Sequence, residues 1–288
     1  MPVTSGAARC CGIIGDPVAH SLSPAMHNAA FRELGLDFVY VPFRVKSDEL
    51  AAAIGGMRSL NIRGLNVTVP HKVSVIPLLD GLDGLAERIG AVNTIVNDDG
   101  VLKGYNTDAA GFRQTLISNG VRPEGKRVVV LGAGGAARAV AFTLAEQGAE
   151  LVILNRRQEL DWAVELARRL SPVAGKKVPA LEMNQENLAR ALEEADLLVN
   201  ATSVGMSPDT GGTPVAAHLL KPGLTVFDIV YNPVRTRLLA EAERAGAGTV
   251  SGVDMLLWQG ALALELWTGV GAPVEVMRAQ ILAGLAGT

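Results

Sequence analysis

Residues 127–138 read RVVVLGAGGAAR, and this stretch decides the fold. Arg127 to Leu131 is short and almost wholly apolar, as a buried parallel strand requires, and Gly132-Ala-Gly-Gly135-Ala-Ala137 opens a helical run to Gln147 and Gly148. Strand, glycine-rich turn and helix in that order make a phosphate cradle. The glycines let backbone N–H groups approach a pyrophosphate, and the positive end of the helix dipole favours its charge. About twenty residues on, an acidic side chain would bind the ribose 2′-OH of NAD, but the chain reads Asn155-Arg156-Arg157. Two cations suit a 2′-phosphate, so the expected cofactor is NADP. An ordinary solvated helix start is the competing account of these arginines.

The pattern extends in both directions. Candidate strands at 127–131, 151–155, 178–181, 197–200, 224–229 and 248–251 alternate mostly with helical segments and predict a doubly wound parallel sheet. The strand holding Pro179 belongs at an edge. Upstream, strands at Cys11 to Gly15, Phe38 to Phe43, Gly64 to Val69 and Thr94 to Asn97 alternate with helices near Pro24 to Leu34, Asp48 to Ser59 and Leu85 to Ile89. Asp98-Asp99-Gly100 turns into a further strand, Val101 to Tyr105, which predicts an antiparallel pair at that edge. A helix from about Asp108 to Asn119 follows. The expected division is an N-terminal α/β domain over 1–111, a dinucleotide domain over 112–252, and C-terminal helices over 253–288 that return to the first domain.

Composition narrows the class. At 288 residues and 49% hydrophobic, the chain can bury two cores. A net charge of −3 gives no general attraction for nucleic acid or anionic membrane, so basic residues must act locally. Cys10 and Cys11 are adjacent, a poor disulfide pair, and no Cys/His spacing resembles a metal site. A reducing cytoplasm is expected. The N-terminal stretch stops at Asp16-Pro17 and reads as neither leader nor anchor, and no segment reaches the roughly eighteen apolar residues of a span. The expected partner is a small molecule, and a homodimer is left open.

Three polar clusters lie in the first domain. In His20-Ser21-Leu22-Ser23-Pro24, Ser23 reads as a helix N-cap with proline behind it, but capping leaves Ser21 unexplained; a second hydroxyl there suits an anion. Along Gly64 to Val69 the period of two sends Leu65, Val67 and Val69 to one face, Asn66 and Thr68 to the other. Lys72 follows the strand end, where α/β sheets collect ligands, and a lysine there can move a proton if its surroundings lower its pKa from about 10.4. A solvated lysine is the competing account. In Asn106-Thr107-Asp108, Asp108 reads as another N-cap, although capping does not need all three side chains; Asn93 adds a nearby amide.

Taken with GDPVAHSLSPAMHNAAF at 15–31, GLNVTVPHK at 64–72, GAVNTI at 90–95, GYNTDAAGF at 104–112, GAGGAAR at 132–138, NRR at 155–157, NATSVGM at 200–206, DIVYNP at 228–233 and GVDMLLWQGA at 252–261, the chain resembles the shikimate dehydrogenase family nearly end to end. The resemblance implies a Rossmann NADP domain and reversible, NADP-linked reduction of 3-dehydroshikimate to shikimate in aromatic amino acid (chorismate) biosynthesis, with no metal. It assigns Lys72 and Asp108 as the catalytic pair. Ser21 and Ser23 would bind the substrate carboxylate, Asn66, Thr68, Asn93, Asp108 and Gln259 the ring hydroxyls, with Tyr231 nearby. It gives Gly132, Gly134, Gly135 and Ala136 to the pyrophosphate, and Asn155, Arg156 and Arg157 to the 2′-phosphate. Thr202, Ser203 and Met206 would face adenosine or nicotinamide, and Met255 near Gly252 would back the nicotinamide.

One departure stands out, since relatives typically carry threonine where Arg157 stands. Two other readings remain: a quinate/shikimate dehydrogenase of broader specificity, which often uses NAD and an acid in the second-strand loop, and a non-catalytic NADP-binding sensor, which could lose the Lys72 and Asp108 pair.

Overall fold

The computed structural model describes residues 5–286, and the chain divides into two compact units, Met1–Gly111 with Leu257–Thr288, and Phe112–Leu256. In the first unit β1 (Arg9–Gly15), β2 (Phe38–Arg44), β3 (Gly64–Val67), β4 (Gly81–Leu82), β5 (Thr94–Asp98) and β6 (Val101–Tyr105) form a sheet ordered β2-β1-β3-β5-β6-β4. β1 runs parallel to both neighbours, whereas β5 pairs antiparallel with β3 and β6. Asp99 at φ 49° and Gly100 at φ 91° supply the left-handed turn between β5 and β6. The helices are α1 (Ser23–Glu33), α2 (Leu50–Ser59), α3 (Gly84–Ile89) and the start of α4 (Thr107–Ser118). Ile14, Leu65, Val67 and Ile95 cluster with Ile54 and Met57 of α2 in a core on one sheet face.

Two expectations change here. The strand at Gly64 stops at Val67, and Val69 turns outward with 65% of its surface exposed. Thr68 N still donates to Ile14 O at 2.9 Å, but Pro70 has no N–H with which to extend the ladder. The hairpin also lacks its expected edge position. β4 pairs with β6 beyond it, and two residues are too few to show any periodicity in sequence.

The second unit holds β7 (Arg127–Leu131), β8 (Glu150–Asn155), β9 (Ala180–Glu182), β10 (Leu197–Asn200), β11 (Thr225–Asp228) and β12 (Gly248–Ser251), with α5 (Gly135–Glu146), α6 (Leu160–Ala174), α7 (Gln185–Leu192) and α8 (Arg237–Arg244). All pairs are parallel, in the order β12-β11-β10-β7-β8-β9. Strand order reverses between β7 and β10, the switch point at whose carboxyl end doubly wound folds bind ligands. β9 is the edge strand, as expected, but it begins after Pro179, which contributes only its carbonyl to Ile153 N at 3.0 Å.

Two helices complete the chain, α9 (Val253–Thr268) and α10 (Val274–Ala286), and the residues from Leu257 on belong to the first unit. A Cβ on Gly64 would fall on the Trp267 indole, so glycine is what lets α9 close on β3. Trp267 Nε1 donates to Ile95 O at 3.1 Å, and Arg63 Nε donates to Trp267 O at 2.8 Å. Among the described residues no helix is long and apolar enough to cross a membrane.

Beside the switch point, Asp228 ties three segments together at the end of β11. It accepts from Asn200 Nδ2 at 2.9 Å, Val230 N at 3.1 Å and Thr236 Oγ1 at 2.7 Å, while Thr236 caps α8. Burial outweighs these donors and pushes its pKa up from 3.8 to about 6. Between those values the folded chain binds the proton more strongly than the unfolded chain. The group's contribution to stability is therefore complete below pH 3.8 and is lost as pH rises through about 6. Asp228→Asn, which removes that titration, should cost more stability at pH 5 than at pH 7; urea unfolding at both values measures it, and equal losses would show a carboxylate already ionised at pH 5.

Candidate active site

The first unit gathers its polar side chains around one carboxylate. Lys72 lies in the turn that follows β3, and its Nζ donates to Asp108 Oδ2 at 2.5 Å, the two side chains being 14% and 6% exposed. The other oxygen, Oδ1, accepts from Asn93 Nδ2 at 2.9 Å. Asn93 precedes β5, and its Oδ1 accepts from Thr107 N at 2.7 Å and Thr94 Oγ1 at 3.1 Å. Gln259 of α9 approaches from the C-terminal segment, its Oε1 3.4 Å from Asn93 Nδ2. Asn66 Nδ2 donates to Thr94 Oγ1 at 3.1 Å. Five residues separated by as many as 193 positions in sequence, Asn66, Lys72, Asn93, Asp108 and Gln259, thus join one hydrogen-bonded set. Such a pair can hold an ammonium beside a ligand oxygen and move a proton to or from it.

Both predicted caps are corrected. α1 starts at Ser23 itself, with Leu22 at the N-cap and no side-chain cap, while Ser21 Oγ accepts from Ser23 N at 3.3 Å. The turn is closed from Ser21, because its hydroxyl sits two residues ahead of the N–H. At α4 the helix begins at Thr107, and Asn106 Oδ1 accepts from Ala109 N at 3.2 Å. Asp108 is therefore inside the first turn, where Lys72 and Asn93 engage it. Thr68 lies just past β3, its methyl where a Cβ on Gly15 would fall. Thr107 comes from the Asn106-Thr107-Asp108 cluster, whereas Tyr40 and Thr94 lie outside the predicted site; the signal for Tyr40 is a tyrosine on an inward strand position, whose hydroxyl needs a partner when buried.

In the second unit Gly132 follows β7 at φ 100°, and a Cβ there would stand 2.9 Å from Ala201 O. This close approach lies at the switch point. Gly134 is the N-cap of α5 with extended backbone and no side-chain cap, and nothing lies within 4 Å of where its Cβ would be. Gly135 and Ala136 begin the helix, so open space and uncapped N–H groups coincide, the fit a diphosphate requires. Asn155 ends β8 and donates from Nδ2 to Glu159 O at 2.7 Å; Arg156 pairs with the Glu159 carboxylate and remains 63% exposed. Arg157 opens a short 3-10 turn. Thr202 Oγ1 donates to Asn200 Oδ1 at 2.7 Å after β10, with Ser203 next, and Met206 is 40% exposed. Gly252 follows β12 where a Cβ would strike Ile229 O, and Met255 is buried in α9. Tyr231 follows β11, and burial raises its hydroxyl's pKa.

A parallel sheet with a glycine turn at its switch point, together with a mixed-sheet unit carrying a lysine–aspartate pair, defines the class of two-unit α/β proteins of dinucleotide-dehydrogenase type. The family profiles are more specific: Shikimate dehydrogenase substrate binding domain over residues 13–95, Shikimate / quinate 5-dehydrogenase over 117–207, and Shikimate 5'-dehydrogenase C-terminal domain over 252–282. The Shikimate dehydrogenase (NADP(+)) of Methanopyrus kandleri is 54% identical over 274 residues, 94% of each chain. A crystal structure of a shikimate dehydrogenase in complex with NADP+ superposes with a TM-score of 0.90 at 41% identity, covering 98% of both chains. The Listeria monocytogenes shikimate 5-dehydrogenase, in complex with shikimate and NAD, gives 0.86 at 41% identity over 96% of both. The chain belongs to the shikimate dehydrogenase family.

Gly132→Ala should lower stability by about 1–3 kcal/mol, through positive φ and the crowded Cβ, and should weaken NADPH binding. Thermal denaturation and a fluorescence titration measure the two effects; unchanged values would show that the turn relaxes around a methyl group.

Proposed function

We propose that the protein catalyses the reversible, NADP-linked reduction of 3-dehydroshikimate to shikimate, a step of aromatic amino acid biosynthesis. The observation that carries this reading is the pair of half-buried Lys72 and buried Asp108, with Asn93 on the far carboxylate oxygen. In the reducing direction Lys72 Nζ donates a proton to the substrate oxygen as its carbon becomes tetrahedral, and in the oxidising direction Nζ takes that proton back. Asp108 holds the ammonium and, through its oxygens, aligns a substrate hydroxyl. Asn66, Thr68, Asn93 and Gln259 fix the ring, and Ser21 and Ser23 take the carboxylate at the start of α1.

A bound nicotinamide supplies or accepts the hydride. On the protein's side Gly132, Gly134, Gly135 and Ala136 would hold the diphosphate, Asn155, Arg156 and Arg157 the 2′-phosphate, and Thr202, Ser203, Met206, Gly252 and Met255 the remaining nucleoside portions. Free Cys10 and Cys11 support a cytoplasmic location. Retention of the lysine–aspartate pair speaks against a sensor without catalysis, and the arginines after β8 against a preference for NAD. Steady-state rates with shikimate and quinate, each against NADP and NAD, test the whole reading; no turnover of shikimate with either cofactor would overturn it.

Arg156→Ala should weaken NADP by roughly ten- to a hundredfold, the loss of one charge-assisted hydrogen bond, and leave NAD nearly unchanged. KM values for both cofactors measure it, and an equal loss for both would remove the 2′-phosphate assignment. Lys72→Ala should lower kcat by about 10²–10⁴-fold with a much smaller change in KM for shikimate. Near-normal kcat with a raised KM would show that Lys72 only binds.

A further inference from the structure

Tyr40 belongs to none of the polar clusters, yet it shares a sheet face with Asn66. In the register of β2, β1 and β3 it stands level with Cys11 and Gly64, and Asn66 lies two residues further along β3. The phenol crosses β1, and its hydroxyl donates to Asn66 Oδ1 at 2.7 Å, with Tyr40 buried to 1% exposure.

Contacts from α1 and α9 hold that ring in place. Asn28 grips the Tyr40 backbone at both groups, its Nδ2 donating to Tyr40 O at 2.8 Å and its Oδ1 accepting from Tyr40 N at 2.9 Å. His27 lies flat on the phenol, with centroids 4.5 Å apart and 13° between planes, and Trp267 tilts against it at 5.9 Å. The His27 ring is fully buried with neither nitrogen hydrogen-bonded, and burial takes its pKa down to about 3. It is therefore neutral at physiological pH and serves Tyr40 as a stacking surface.

The direction of the Asn66 amide follows from its neighbours. Asn66 Nδ2 donates to Thr94 Oγ1 at 3.1 Å and to the backbone carbonyl of Asn93 at 3.3 Å. A carbonyl can only accept, so the amide nitrogen faces Asn93 and the amide oxygen faces Tyr40, whose hydroxyl must donate. Both amide hydrogens and one lone pair of Oδ1 are then engaged. We infer that Tyr40 is a positioning residue, which fixes the Asn66 amide so that the remaining Oδ1 lone pair faces the substrate as an acceptor for one ring O–H. This rests on the reading of the site as one for shikimate.

Tyr40→Phe keeps the ring and its stack on His27 and removes only the donor. We expect KM for shikimate to rise roughly three- to tenfold, the worth of one neutral hydrogen bond, with kcat within twofold. In an Asn66→Ala background the same change should add nothing, because the group it positions is gone. No effect in the otherwise native enzyme, or an equal effect in both backgrounds as general loosening of the sheet would give, overturns the inference. A second measurement needs no substrate: the Asn66 side-chain amide protons should exchange with solvent faster in Tyr40→Phe, and unchanged exchange also overturns it. Failure of the native enzyme to oxidise shikimate would remove the functional reading alone, and the exchange measurement would then decide Tyr40.

Discussion

A carboxylate with 6% of its side chain exposed has lost most of its water, and Asp108 replaces that water with the Lys72 ammonium on one oxygen and the Asn93 amide on the other. Neither ion of the pair is tolerated alone at such depth, since removing one partner of a buried pair typically costs about 3–5 kcal/mol. The Asn93 amide can serve Asp108 only while its own oxygen is occupied by Thr107 N and Thr94 Oγ1. Through Thr94 the requirement reaches Asn66 on β3. The turn after β3, the start of β5 and the first turn of α4 are thus fixed to one another by polar satisfaction, and the chemistry uses a geometry that the fold already needs.

The second unit is governed by a different constraint, the lack of room. At the switch point between β7 and β10 a glycine with positive φ lets one backbone pass against Ala201, and after β12 another passes against Ile229. What these approaches leave is a turn whose N–H groups have no side-chain cap at the start of α5. Asn200 and Asp228, from the ends of β10 and β11, bond to each other on the same side of the sheet and reach α8 through Thr236. Backbone proximity makes the cradle, and a buried polar tie keeps the strand ends from spreading.

The features legible in sequence are those carried by neighbours along the chain. Gly132 to Ala137 needed no partner to be read as a strand-to-helix turn, nor did Asp99-Gly100 as a hairpin. The hydrogen-bond roles were harder. Ser23 and Asp108 have the right residue type for caps, but Ser21 and Asn106 close those turns, and only three-dimensional placement shows which oxygen reaches which N–H. Tyr40 depends on the register of three strands before its hydroxyl can be set against Asn66. β4, at two residues, has no pattern to read.

The contact of Trp267 with Gly64 and Ile95 also bears on how the molecule is made. The indole's hydrogen bond to Ile95 spans 172 residues, so on a ribosome moving at about 5–20 residues per second Ile95 waits roughly nine to thirty-four seconds for its partner. During that interval the whole of the second unit, contiguous in sequence, is synthesised. The first unit is therefore closed only by the last part of the polypeptide, and a nascent chain that stalls before Trp267 leaves Gly64 and Ile95 without their cover.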